Sequence, residues 1–105
     1  MKKYLVTYSP QARKDISSIY TYIAFKLNEK GIAANQIRRI KDAVKGLEYF
    51  PSKYESFEST FFKGGNIRKM PVDNYLAIFL VDEQFQAVTI LRIVYGGTDL
   101  SQMNR

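Results

Sequence analysis

The chain has 105 residues, 46% of them hydrophobic, which is the size of one ordinary domain with a single core. It contains neither cysteine nor histidine, so disulfides, thiol catalysis, the usual zinc and haem ligand sets and the commonest general base are excluded. Its net charge of +6 favours a polyanion or an acidic protein as the partner.

No apolar run approaches the roughly 20 residues that span a bilayer. Lys2 and Lys3 are followed by an apolar stretch that is too short for a signal peptide. We therefore expect a cytoplasmic protein without membrane contact, formed by a single domain over residues 1–105. A domain this small has little room for a cavity beside its core, so no cofactor, metal or small-molecule ligand is expected.

The first half of the chain predicts a strand and two helices. Residues 3–8 alternate β-branched and aromatic side chains, the pattern of a strand, and Ser9-Pro10 supplies an N-cap and a first helical turn. Two apolar stripes with helical spacing follow, and the short link between them predicts an antiparallel helix hairpin. The first stripe is Ala12, Ile16, Ile19, Tyr20, Ile23 and Leu27, and the second is Ala33, Ile37, Ile40, Val44 and Leu47.

Glycine and proline mark the ends of these helices. The first helix should end within residues 28–31, where Gly31 can adopt the left-handed conformation of a C-cap. Pro51 stops the second helix, because the residue before a proline disfavours helical geometry. Gly46 either permits a close approach to the first helix or begins the fraying of the second.

The second half predicts a loop and three strands. Four aromatic residues make residues 52–65 an ordered loop on the core: Tyr54, Phe57, Phe61 and Phe62. Strands follow at residues 67–72, 75–81 and 87–95, separated by turns at Asp73-Asn74 and at residues 82–86. The middle strand is apolar at every position, which predicts a central strand covered on both faces.

The element order β-α-α-β-β-β predicts an α+β fold. The C-terminal strands form an antiparallel sheet, and the N-terminal helix hairpin packs on one of its faces. The pattern leaves the position of the first strand in the sheet open. The loop aromatics or a partner protein must cover part of the other face.

A cluster of cations on the predicted sheet is the candidate binding surface. Arg92 interrupts the last strand, flanked on its own face by Ile90 and Val94. A charge there is either paired within the fold, for which Asp99 is a candidate, or emerges at a surface that binds a target or partner. The other members of the cluster are Lys63, Arg68 and Lys69, the last two on opposite faces of one strand.

Short motifs follow one another along nearly the whole chain. They are Tyr8-Ser9-Pro10-Gln11-Ala12, Asp15-Ile16, Ile19-Tyr20-Thr21-Tyr22-Ile23, Gly46-Leu47-Glu48-Tyr49-Phe50-Pro51, Ile67-Arg68, Asn74-Tyr75, Ile90-Leu91-Arg92-Ile93-Val94-Tyr95-Gly96 and Asp99-Leu100. As an ordered set they resemble the RelE/ParE superfamily of toxins from type II toxin–antitoxin systems, whose fold agrees with the one predicted above. The resemblance implies one of two activities. RelE-like members cut messenger RNA on the ribosome with basic residues and a tyrosine, and ParE-like members poison DNA gyrase.

The match to the RelE-like nucleases is incomplete at the residues that act on phosphate. Leu76 stands where these nucleases have an arginine, Gly97-Thr98 stands where a further arginine is expected, and their C-terminal tyrosine is missing. Only Lys69 is in place. Loss of one group that stabilises developing negative charge costs about 100- to 1000-fold in rate, so nuclease activity is disfavoured.

The ParE-like, plasmid-stabilisation branch matches better. Arg68 corresponds to its arginine at the start of the hairpin, and Asp99-Leu100 corresponds to its aspartate–leucine pair, although the basic pair that usually precedes that aspartate is absent. The resemblance therefore implies a toxin that inhibits growth by binding a macromolecule, DNA gyrase. An acidic, partly disordered antitoxin that folds onto the toxin is expected to neutralise it.

The residues expected to bind the target or the antitoxin are Lys63, Arg68, Lys69, Arg92, Tyr95 and Asp99. Two alternative functions stay open. The first is a ribosome-dependent messenger RNA endoribonuclease that uses Arg68, Lys69, Arg92 and Tyr95. The second is a degenerate, non-toxic binding module.

Overall fold

The structure, a computed structural model, describes residues 3–58 and 65–97. Its helices and strands are β1 (Leu5–Tyr8), α1 (Pro10–Thr21), α2 (Lys30–Lys45), β2 (Glu55–Ser56), β3 (Asn66–Val72), β4 (Tyr75–Asp82) and β5 (Ala87–Tyr95). A π-helical turn, Tyr22–Lys26, extends α1, and short 3-10 turns follow α2 at Gly46–Glu48 and Pro51–Lys53. The predicted α+β class with its N-terminal helix hairpin is confirmed.

The strands form one mixed sheet in the order β1-β5-β4-β3-β2. The antiparallel arrangement predicted for the C-terminal strands is confirmed, and β1, whose place the sequence left open, lies parallel to β5 with Leu5 opposite Ala87. Two parallel strands require a long crossover connection between them, and the helix hairpin forms the first part of this connection. The sheet is therefore mixed where the sequence predicted only antiparallel pairing. The predicted loop after α2 also contributes a strand, β2, which pairs with β3.

A large core lies between the helices and one face of the sheet, which we call the helix-side face. Its largest fully buried members are Ile40, Val44, Leu47, Phe79, Val88 and Ile90. A smaller cluster on the opposite, second face contains Ile67, Ile78 and Val94, with Phe57 packed against it. Because β4 contributes to both clusters, its unbroken apolar sequence is explained, and the predicted central strand is confirmed. Phe61 and Phe62 lie outside the described residues.

The start of α1 follows its sequence, but its end does not. Ser9 is the N-cap, and its Oγ accepts a hydrogen bond from the backbone N of Ala12 at 3.0 Å. The left-handed residue after the helix is Asn28, with φ of 56°, whereas Gly31 lies inside α2, so the predicted glycine C-cap is wrong. Asparagine adopts this conformation with little strain because its short polar side chain can hydrogen-bond locally.

The π-helical turn also changes which residues face the core. One extra residue in a helix of 3.6 residues per turn rotates everything after it by about 100°. Leu27, predicted on the buried stripe, is consequently 52% exposed.

The α2 stripe is confirmed at Ala33, Ile40 and Val44, which are buried. The buried residue between them is the polar Gln36, and Ile37 is only half-buried. A Cβ added to Gly46 would meet no atom within 4 Å, so this glycine does not serve a close approach to α1 and simply begins the turn that ends the helix. No helix within residues 3–58 and 65–97 is long and apolar enough to cross a membrane.

Candidate interaction surfaces

Arg92 is paired inside the fold, with Asp15 of α1. Its Nε lies 2.8 Å from Asp15 Oδ2 and its Nη2 lies 3.0 Å from Asp15 Oδ1, and the two side chains are only 15% and 10% exposed. The backbone N of Ile93 donates to Asp15 Oδ2 as well, at 2.8 Å. The structural pairing that the sequence allowed for Arg92 is therefore present, with a residue 77 positions away. The candidate Asp99 lies outside the described residues.

The prediction that Ile90 and Val94 flank Arg92 on one face is wrong for Ile90, because β5 is irregular at this point. The pairing register between β4 and β5 shifts between Ile78 and Phe79. Ile90 therefore packs in the helix-side core and Val94 in the cluster on the second face. A bulge adds one residue to a strand and breaks the alternation of side chains there, so Ile90, on one side of the bulge, no longer shares a face with Val94, on the other.

Arg68 and Lys69 also contact neighbouring parts of the chain. Arg68 Nη1 donates to the carbonyl oxygen of Tyr54 at 2.6 Å, while its buried Nε has no hydrogen-bond partner in the part of the chain described. Lys69 Nζ lies 3.6 Å from Glu55 Oε2 on β2. The prediction that the two cations point to opposite faces agrees with their cross-strand partners, Phe79 for Arg68 and Ile78 for Lys69, which belong to different apolar clusters. Lys63 lies outside the described residues.

Tyr95 ends β5 at a group of three tyrosines. Its ring stands at 85° to that of Tyr75, with 5.9 Å between the ring centroids. Burial raises the pKa of Tyr75 above its usual value, and the hydroxyls of Tyr95 and Tyr22 add to the shift. The backbone N of Gly96 donates to the Asn74 carbonyl oxygen at 2.7 Å, which fixes the end of β5 against the β3–β4 turn.

These tyrosines line a groove that the sequence did not predict. The groove has a volume of about 660 Å³ and lies between the tip of the helix hairpin and the β3–β4 turn. We call it the aromatic groove; it is lined by Ser18, Ile19, Tyr22, Ile23, Leu27, Ile32, Gln36, Asn74, Tyr75 and Tyr95. The available signal was the presence of Tyr22 and Ile32, apolar residues that belong to neither predicted stripe.

A polar clamp joins α2 to the β3–β4 turn beside this groove. Gln36 Nε2 donates to Asp73 Oδ2 at 2.9 Å, and Arg39 Nε donates to the same oxygen at 2.8 Å. The hydrogen bonds from Arg39 and then Gln36 lower the pKa of the Asp73 carboxyl below its usual value. Asp73 has a φ of 54°, as predicted for this turn, and its carboxylate holds one wall of the groove to the other.

No cluster of acidic residues that could hold a metal ion occurs within residues 3–58 and 65–97. The cations of the sheet do not converge on Tyr95 either. Arg68 contacts the segment before β2, Lys69 contacts β2 itself, and Arg92 contacts α1. Chemistry on a phosphodiester needs several cations around one point, and each of these three is directed to a different internal partner.

The fold is shared with solved toxins of the RelE/ParE type. The chain is similar to the chromosomal ParDE toxin–antitoxin system from P. aeruginosa, with a TM-score of 0.72 and 21% identity over 90% of this chain and 98% of the other. It is also similar to the archaeal RelE–RelB complex from Pyrococcus horikoshii OT3, with a TM-score of 0.63 and 21% identity over 92% and 98% of the two chains. A third similar structure is the toxin–antitoxin complex RelBE2 from Mycobacterium tuberculosis, with a TM-score of 0.63 and 19% identity over 90% and 93%.

A match to a protein-family model identifies the family of this chain more closely than the shared fold does. The model described as the ParE toxin of the type II toxin–antitoxin system parDE matches residues 6–100. The chain therefore belongs to the ParE toxin family, and the resemblance inferred from the sequence motifs is confirmed. A search of curated protein sequences found no match.

Proposed function

We propose that this toxin inhibits growth by binding DNA gyrase in the cytoplasm, and that residues 1–105 form a single toxin domain. The observation that supports binding over RNA cleavage is the separation of the sheet cations. Arg68, Lys69 and Arg92 each have their own partner within the fold, at distances of 2.6, 3.6 and 2.8 Å. The family match and the leucine at position 76 support the same choice.

The predicted binding residues divide into two groups under this proposal. Tyr95 is exposed and Lys69 half-exposed, so both can contact a macromolecule, together with Lys63 and Asp99. Arg68 and Arg92 are held by internal contacts and keep β3 and β5 in position. We further propose that an acidic antitoxin neutralises the protein, in line with the similar structures, which are toxin–antitoxin complexes.

The test applies purified protein to gyrase supercoiling and, separately, to translating ribosomes. We expect supercoiling to be lost while messenger RNA stays intact. Cleaved transcripts with normal supercoiling would contradict the proposal and favour the nuclease alternative. If neither assay responds and induced expression is harmless, the proposal is also wrong and the non-toxic binding module is favoured.

A matched pair of variants tests whether gyrase inhibition depends on the surface that contains Lys69. Lys69→Met removes a cation at the proposed contact, and Lys41→Met removes one from the exposed side of α2. Charges at the rim of an interface mainly steer association, so Lys69→Met should weaken gyrase inhibition several-fold, whereas Lys41→Met should leave it unchanged. Equal effects of the two variants would mean that only net charge matters.

A further inference from the structure

Positive charge concentrates on the helix hairpin, residues 10–45. These residues contain eight of the 16 lysines and arginines but only three of the ten acidic residues, so this third of the chain carries a net charge of +5, eight minus three, out of +6. All eight cations are exposed: Arg13, Lys14, Lys26, Lys30, Arg38, Arg39, Lys41 and Lys45. A surface with charges of one sign attracts a partner of the opposite sign.

Most of these hairpin cations are not neutralised within the fold, in contrast to the cations of the sheet. Asp15, one of the three carboxylates, is buried against Arg92 and therefore does not offset the exposed charge. Among the eight, only Arg39 forms an ion pair within residues 3–58 and 65–97, with Asp73. Lys30 Nζ lies 5.5 Å from the centre of the Phe25 ring, a contact that leaves its charge in place.

Four of the hairpin cations form one stripe along α2. They are Lys30, Arg38, Lys41 and Lys45. Their spacings of eight, three and four residues place them within an arc of about 80° around the helix, and they extend over about 22 Å at a rise of about 1.5 Å per residue. Duplex DNA carries one phosphate per about 3.4 Å along each strand, so the stripe can follow about six phosphates.

The start of α1 adds two cations at one end of this stripe. Ala33, near the start of α2, packs with Ile23 and Ala24, which follow α1. The two helices are therefore antiparallel, and the start of α1 lies beside the end of α2. Arg13 and Lys14 are exposed there, so the positive surface is widest at this end of the hairpin.

The rest of this face suits a phosphate backbone better than a protein or a single strand. From Ala34 to Lys45, the exposed positions of α2 hold alanine, asparagine, aspartate and the cations, without a large apolar side chain. The centres of protein interfaces depend on aromatic and apolar anchors, and single-stranded nucleic acids are bound by stacking on aromatic rings. Contacts to the backbone of a duplex require only cations in a fixed arrangement, which a helix provides.

A lipid surface is a poorer match than a duplex for the same face. Peripheral helices bind membranes by inserting an apolar face beneath the headgroups. The apolar side of α2, which contains Ile40 and Val44, is fully buried in the core and is not available for insertion.

We propose that the outer face of the helix hairpin binds the phosphate backbone of duplex DNA without regard to sequence. In this arrangement the α2 stripe follows the phosphates, and Arg13 and Lys14 contact the backbone beside it. The inference goes beyond the proposed function and does not rest on gyrase as the target. Gyrase inhibition is assigned to a different surface, the one that contains Lys69, so the two binding properties are separate.

The experiment measures binding of the full-length protein to a fluorescent duplex of about 20 base pairs, by anisotropy, between about 50 and 200 mM salt. Lys45→Met removes a cation from the stripe. Lys53→Met is the matched control, because it removes the same charge from an exposed position in the 3-10 turn before β2. Arg38→Met combined with Lys45→Met tests two positions of the stripe together, and unfolding curves verify that each variant folds.

We expect the logarithm of the binding constant to fall against the logarithm of the salt concentration with a slope of about −4. This slope corresponds to about four phosphate contacts and to an affinity loss of about 250-fold over the range. Lys45→Met should make the slope shallower by about one and the double variant by about two, whereas Lys53→Met should leave it unchanged.

Four results would overturn the proposal. Equal effects of Lys45→Met and Lys53→Met would mean that only net charge matters. Undetectable binding, or binding that does not depend on salt, would exclude phosphate contacts. Equal or tighter binding of one separated strand would assign the face to single-stranded nucleic acid, and tighter binding of vesicles of an anionic phospholipid would assign it to a membrane surface.

The supercoiling assay keeps this inference distinct from the proposed function. DNA binding that Lys45→Met weakens, in a protein that does not inhibit gyrase, would reject the target but keep the hairpin surface. Gyrase inhibition by a protein that does not bind the duplex would reject the hairpin surface but keep the target.

Discussion

The sheet cations and the aromatic groove differ in what their side chains contact. Arg92 and Arg68 lie on strands and hydrogen-bond within the fold, Arg92 to the Asp15 carboxylate and Arg68 to the Tyr54 carbonyl oxygen. The groove residues lie where helix, turn and strand ends meet, and Tyr22 and Ile32 keep more than half of their surface exposed. A charged residue on a predicted strand suggests a binding surface because burial of an unpaired charge is unfavourable. In this protein, partners within the fold offset that unfavourable term.

The largest expected effect tests the internal role of Arg92. Asp15→Ala removes the carboxylate that two nitrogens of Arg92 and the backbone N of Ile93 contact. Breaking a buried ion pair on one side typically costs about 3–5 kcal/mol in free energy of unfolding. Urea denaturation measures the loss, and the double variant Asp15→Ala with Arg92→Leu should recover part of it. A loss below about 1 kcal/mol would mean that the ion pair contributes no more than an exposed one, and that Arg92 is available to a partner.

An intermediate effect is expected for Arg68. Arg68→Met removes the hydrogen bond to the Tyr54 carbonyl oxygen, and hydrogen bonds to charged groups contribute about 1.5–3 kcal/mol. Removal of the buried Nε, which has no partner in the described ranges, offsets part of this loss, so the net change should be at the low end. Arg38→Met on the exposed side of α2 is the control, with a change within about 0.5 kcal/mol. A stabilised Arg68→Met protein would mean that desolvation of the guanidinium dominates.

The smallest effect concerns the clamp beside the groove. The Asp73 pKa is lowered in the folded protein by Arg39 and Gln36, so its contribution to stability is present above the usual carboxyl value of 3.8 and is lost as the pH falls through the lower, folded value. The difference in stability between the unmodified protein and Asp73→Asn should therefore shrink in acid. Thermal unfolding between about pH 5 and pH 2.5 measures it. A difference that grows in acid would show that this clamp does not hold the groove walls together.

Local sequence predicted much of the fold but little of the pairing between distant residues. Ser9-Pro10, Asp73-Asn74 and the unbroken apolar run of β4 carry their own structural signals, since capping, turn geometry and two-sided burial depend on neighbouring residues. The parallel position of β1 and the partner of Arg92 depend on contacts between residues far apart in the chain, which no local pattern contains.

The aromatic groove could not be predicted from the sequence for a related reason. Charge marks a cation as a candidate binding residue, whereas Tyr22 and Ile32 are ordinary apolar residues outside both predicted stripes, and Leu27 is exposed after a single π-helical turn. The hydrogen bonds of that turn, such as Leu27 N to the Tyr22 carbonyl oxygen, differ from those of an α-helix by one residue. Periodicity analysis assumes a constant helical repeat and therefore places Leu27 in the core.

The N-terminus of α1 has a consequence for solubility. β1 pairs with β5 only as far as Ile90, and beyond that point the Ser9 hydroxyl donates to the Leu91 carbonyl oxygen and the Asp15 carboxylate accepts from Ile93 N. Two side chains thus hydrogen-bond to backbone groups with which a strand of another molecule could otherwise pair. The sheet is protected against edge-to-edge aggregation at this point by the side chains of Ser9 and Asp15.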